Sequence, residues 1–207
     1  APRWPFPPLA GIVEVPTLRP DGTLIVEAGY DPETRLMFMP APDLKVPTIP
    51  DAPDVEDARD AVDLIEEAIG DFPFADDASK ATAFAGLLTP FVRQYISGNA
   101  PPIVVDAPVQ GTGKSLLAEV FAIVATGRES GLVVVQSEDS DMAKKITTLL
   151  REGTTVICLD NVEVRLWHPS LAAALTRSEW SDRLLARILH RLSGTAICAM
   201  ALLPVVS

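Results

Sequence analysis

Residues 107 to 115 read Ala107-Pro108-Val109-Gln110-Gly111-Thr112-Gly113-Lys114-Ser115, and the fold turns on them. The stretch follows Ile103-Val104-Val105, an apolar run that predicts a strand, and precedes Lys114 to Thr126, which predicts a helix. Glycines at 111 and 113 let the backbone curl so that successive N–H groups face inward, and a helix beginning near Lys114 adds its positive dipole end. Such a cradle suits phosphate. Lys114 would reach the outer phosphates as a point charge, Ser115 would offer its hydroxyl to Mg²⁺, and Pro108, Gly111, Thr112, Gly113 and Leu116 would complete the contacts. The general pattern G-x-x-x-x-G-K-[ST] has glycine where this chain has Pro108, which keeps a tight turn but removes glycine's freedom.

Further on, Thr155-Val156-Ile157-Cys158-Leu159-Asp160 predicts an apolar strand ending in an acid. Downstream of a phosphate cradle, Asp160 is the expected partner of Ser115 in holding the metal and its water shell. Asn161 follows it. Asparagine orients a water by hydrogen bonds but accepts no proton at neutral pH, so nucleotide binding with slow hydrolysis is expected of the isolated chain.

Around these motifs strand and helix alternate: strand 132 to 135, helix 139 to 151, strand 155 to 159, helices 169 to 176 and 179 to 191, then an apolar strand from 195 to 203. The alternation predicts an α/β chain with a mainly parallel sheet in a three-layer P-loop NTPase fold. Nucleotide is expected at the carboxyl ends of strands 103 to 105 and 155 to 159. This core would occupy 101 to 207. Residues 51 to 100 form a helical lead-in. There Val55, Ala58, Val62, Ile65 and Ile69 line one face of a helix over about 54 to 69, and a second helix over about 77 to 97 is interrupted by Pro90, as a kink or as a new start capped by Thr89. Residues 1 to 50 are punctuated by prolines and predict a small β meander with a Pro-rich linker.

The net charge of −11 argues against nucleic acid only until it is located. Residues 51 to 77 carry eleven acids against Arg59, a balance of −10, so the rest of the chain is near neutral. No apolar run reaches the roughly 20 residues of a membrane helix, and the first residues do not read as a signal peptide, so a cytoplasmic setting without membrane is expected. Cys158 and Cys198 lie in apolar runs and predict buried thiols.

With both motifs placed, residues 71 to 187 resemble P-loop ATPases of the AAA+ and superfamily 3 helicase-like group found in phage, plasmid and bacterial primase-helicase proteins. The resemblance is carried by Asp71-Phe72-Pro73-Phe74, by Leu88-Thr89-Pro90-Phe91-Val92-Arg93, and by Asp106-Ala107-Pro108 running into Gly111 to Glu119. Leu159-Asp160-Asn161-Val162, Ala174-Leu175-Thr176, Glu179-Trp180 and Asp182-Arg183 continue it. Within that group Pro108 and Asn161 look ordinary. The resemblance implies ATP and Mg²⁺ as cofactors, work on single-stranded DNA through a homo-oligomer, and the motor or a motor fragment of a replication helicase. Such proteins continue into a sensor strand ending in polar residues, whereas residues 195 to 206 stay apolar, so a core truncated at the C-terminus is expected. A nucleotide-binding regulatory or assembly subunit is the rival reading. A small-molecule kinase has no second substrate signature to support it.

Other residues have plainer readings. Arg183, which the resemblance reaches, and Arg187 are one helical turn apart and fit an arginine finger, or else a solvated face. The carboxylates of 54 to 69 fit an outer helix face over an apolar inner stripe. His168 and His190 have no ligand-like companions, Trp167 and Trp180 suit packing better than base stacking, and Lys144 with Lys145 is too small a patch for nucleic acid.

Overall fold

A computed structural model of the chain describes residues 5–50, 52–96, 98–107, 109, 111–129, 131–154, 156–160, 168–177, 179–181, 189–191 and 200–202. The N-terminal piece holds β1 (Gly11–Val13), β2 (Thr17–Leu18), β3 (Leu24–Ile25), β4 (Gly29–Tyr30) and β5 (Leu36–Phe38). It is not a simple meander. β4 and β5 pair antiparallel, but β1 lies parallel to β5, and β2 with β3 forms a separate hairpin.

The turn between β4 and β5 is fastened by Asp31. Its Oδ2 accepts from the Thr34 N–H at 2.9 Å and the Thr34 hydroxyl at 2.7 Å, while Oδ1 accepts from Arg19 Nε at 2.8 Å. The Thr34 N–H first, then the Arg19 guanidinium and the Thr34 hydroxyl, hold this carboxyl down to about 2 from its ordinary 3.8. The folded carboxylate therefore stays charged where the unfolded chain's is protonated, and its contribution to stability is complete above about pH 4 and lost as pH falls toward about 2. Asp31→Asn is accordingly expected to flatten the fall of the urea midpoint between pH 4 and pH 2, which titrated unfolding of both proteins measures.

Helix α1 (Val55–Ile69) starts at a reciprocal capping box: Asp54 accepts from the N–H groups of Glu56 and Asp57, and Asp57 accepts from the Asp54 N–H. Its apolar stripe is not an inner face, contrary to the sequence reading. Only Ile65 and Ile69 reach the core, while Val55 and Val62 are 67% and 46% exposed. Helix α2 (Asp77–Val92) is capped by Asp76, which accepts from the Ser79 N–H at 2.7 Å. Pro90 does not interrupt it. The proline lies in the last turn, where its missing N–H deprives only the Gly86 carbonyl, and Thr89 bonds back to the Ala85 carbonyl at 2.6 Å instead of capping a new helix. A 3₁₀ turn, Arg93–Tyr95, ends the segment earlier than its sequence predicts, and the Tyr95 hydroxyl donates to the Arg19 carbonyl of the N-terminal piece.

The rest alternates: β6 (Val104–Val105), α3 (Lys114–Thr126), β7 (Val133–Val134), α4 (Asp139–Arg151), β8 (Cys158–Asp160), α5 (Pro169–Thr176), β9 (Glu179–Ser181), β10 (Leu189–Arg191) and β11 (Met200–Leu202). Four of these strands form a parallel sheet in the order β6-β11-β8-β7. Alternate residues entering and along β8 face opposite ways. Val156 and Cys158 pack with Ile69, Leu87, Leu117 and Phe121 of α1, α2 and α3. Ile157 and Leu159 pack with Met142, Ile146 and Leu171 of α4 and α5. Helices thus cover both faces of a mixed α/β core.

The helix predicted over 179 to 191 is not formed at either end of that range, Glu179–Ser181 and Leu189–Arg191 being strands. β9 and β10 pair antiparallel there, with Trp180 opposite His190. Trp180 is buried against α4 and α5, and its Nε1 donates to the Thr147 hydroxyl at 3.0 Å, a tertiary contact that holds residues 179–181 where local spacing predicts helix. Arg183 and Arg187 lie outside the described residues.

Candidate functional site

The loop between β6 and α3 has the backbone its glycines allow. Gly111 and Gly113 sit in the left-handed region at φ 79° and 84°, on either side of Thr112. Gly113 is the N-cap of α3 and has no side chain to cap it, and no side-chain bond to the first N–H groups is seen among the described residues. A side chain at 113 would be strained by its positive φ, and a Cβ there would stand 3.2 Å from the ring of Phe72, a tight contact. The Thr112 Oγ1 is buried without a hydrogen-bond partner among the described residues. Lys114 is half-buried at the first position of α3, with no ion pair among the described residues, and Ser115 and Leu116 are exposed. An orphaned hydroxyl, two left-handed glycines and an uncapped 13-residue helix are a set that fits phosphate oxygens.

Asp160 stands at the end of β8, half-buried. Strand register relates it to the loop. Val105 is level with Leu202, and Ala201 is level with Leu159, so the next step places Leu202 level with Asp160. Val134 of β7 is also level with Asp160. Asp160 and the last residue before the loop therefore share one row at the carboxyl edge of the sheet, two strand spacings or about 10 Å apart. The strand between them is β11, and β7 lies outside β8 at the edge. Of the remaining sequence-derived site residues, Pro108, Asn161 and Arg183 lie outside the described residues.

A cleft of about 500 Å³ opens beside the loop, walled by Thr112, Gly113 and Lys114 on one side and by Phe72, Phe74 and Asp106 on another. The sequence reading gave Phe72, Phe74 and Asp106 no role. The signal of the two rings was the stretch Asp71-Phe72-Pro73-Phe74, but its distance in sequence from the loop conceals the contact. A larger cavity, about 730 Å³, lies at the opposite edge, between β1 and the C-terminal ends of α3 and α4, and holds none of the motif residues.

Asp139, also unremarked in the sequence, fastens α4 to α5. Its Oδ1 accepts from the Ser170 hydroxyl at 2.7 Å and the Ser170 N–H at 3.0 Å, with buried His168 Nδ1 at 3.8 Å. The Ser170 hydroxyl first, then its N–H, lower the Asp139 carboxyl below its ordinary value. His168 thus packs, and Lys144 pairs with Asp141 on the exposed face of α4. Cys158 is buried, its thiol facing the Ala118 carbonyl at 3.9 Å, and Cys198 lies outside the described residues. No helix among the described residues is long and apolar enough to cross a membrane. No protein-family model, curated protein or solved structure matches this chain.

Proposed function

We propose that the chain is a P-loop ATPase of three-layer fold that binds ATP with Mg²⁺ at residues 108 to 116, and that it serves as the motor of a phage- or plasmid-type DNA replication helicase. The observation that carries the reading is the shared row: a glycine loop with an orphaned hydroxyl at the end of β6, and an acid at the same level two strands away. The loop N–H groups and the Lys114 ammonium would bind the phosphates. The Ser115 hydroxyl and Asp160 carboxylate would hold Mg²⁺, a set small enough for an ion that keeps several waters. Bound there, the metal supplies charge neutralisation on the phosphates.

Asn161 favours a second reading, a nucleotide-dependent assembly subunit with little hydrolysis, because an amide orients water without deprotonating it. Steady-state ATPase measured with and without single-stranded DNA, beside light scattering with ATP, separates the two. The purified chain alone is expected to turn over well below about 10 s⁻¹. Stimulation by DNA supports the motor, and ATP-driven assembly without stimulation supports the subunit. A rate near that figure without DNA would contradict the role given to Asn161.

A further inference from the structure

The cleft beside the loop leads from Thr112, Gly113 and Lys114 to two aromatic rings. Phe72 abuts the loop so closely that a Cβ on Gly113 would meet it at 3.2 Å, so a base attached to phosphates in the loop meets that ring within the length of one nucleotide. Phe74 stands beside it, with ring centroids 6.4 Å apart and planes tilted 47°. A cleft of about 500 Å³ is of a size that small ligands fill.

Away from the loop, the side-chain hydroxyls on its walls are already engaged. The Ser79 hydroxyl donates to Asp76 at 2.7 Å, and the Thr82 hydroxyl donates to the Ala78 carbonyl at 2.8 Å. The N–H groups of Phe72 and Phe74 donate to the carbonyls of Ile69 and Phe72. Asp106 is exposed and accepts only, and both adenine and guanine present it with an amino group. On the wall away from the loop a base meets chiefly the two rings, and base–aromatic stacking tolerates any base.

We infer that this cleft holds the nucleobase by stacking on Phe72 and Phe74 without reading its edge, so that the site takes ATP and GTP alike. The inference rests on the nucleotide site proposed above. Calorimetric titration of the full chain with the Mg²⁺ complexes of ATP, GTP, CTP and inorganic tripolyphosphate tests it. ATP and GTP should bind within about threefold of each other, CTP more weakly for its smaller ring, and tripolyphosphate measurably. Phe72→Ala should weaken ATP and GTP by about tenfold and leave tripolyphosphate unchanged. Phe72→Leu keeps apolar volume against the core while removing the ring, and should behave the same way. A preference for ATP over GTP beyond about thirtyfold, or equal weakening of tripolyphosphate by both variants, overturns the inference. If tripolyphosphate itself fails to bind, the phosphate loop is wrong and the base cleft falls with it.

Discussion

Lys114→Ala is expected to lower ATP affinity by about a hundredfold or more while leaving the melting temperature within about 2 °C. The asymmetry follows from what the side chain touches. Its ammonium has no ion-pair partner among the described residues, so nothing in the folded chain is left uncompensated when it goes. It also stands at the first position of α3, where a positive charge opposes the helix dipole, so alanine relieves a small penalty there. The ligand loses much more. A triphosphate in the loop would keep the main-chain N–H groups but lose its only lysine, and charge-assisted contacts of this kind are worth about 1.5–3 kcal/mol each. Calorimetric titration of both proteins, with thermal melts of each, reads the two quantities. Unchanged affinity would mean that phosphate binds elsewhere or not at all.

Gly86→Val is expected to destabilise the fold by about 3 kcal/mol, a fall in melting temperature of roughly 6–12 °C. Gly86 lies on α2 where that helix crosses α3 and β6. A Cβ built on it would stand 2.2 Å from Ile103 Cδ1 and 2.4 Å from a ring carbon of Phe121. Removing glycine from a helix would by itself gain up to about 1 kcal/mol, but that gain is smaller than the overlap it creates. Phe121 is buried against Ala83 and Leu87, so its ring has little space into which to retreat. Chemical denaturation measures the loss. Phe121→Leu placed in the same chain should recover part of it, because the shorter side chain vacates the overlap, and failure to do so would place the strain elsewhere.

The loop was legible in the sequence because its chemistry is local. Glycines at 111 and 113, a lysine and a hydroxyl at a helix start need only neighbouring residues to act together, and the left-handed angles at both glycines are what that spacing asks for. Asp160 was legible as an acid after an apolar run. The row that joins them was not, since the strand between them pairs through residues about forty positions beyond the acid, and no local pattern marks which strand lies in the middle. The strands β9 and β10, at the ends of a range expected to be helical, were missed for a related reason: the buried contact of Trp180 with Thr147 spans some thirty residues and leaves no local pattern. Periodicity found α1 but promised a buried stripe, and amphipathic spacing states which residues share a face without stating that anything covers it. Phe72 was quoted for its company and not for its position, because a contact with Gly113 across some forty residues leaves no trace in sequence.

The middle position of β11 has an outcome for the living chain. Emerging from a ribosome, the phosphate loop and the acid are both synthesised well before residues 200 to 202, and until those follow, the strands that bear them have no common neighbour. A nascent chain halted in that interval would carry the glycine loop and Asp160 without the strand that sets them in one row, so three residues late in the chain decide whether the two can act together.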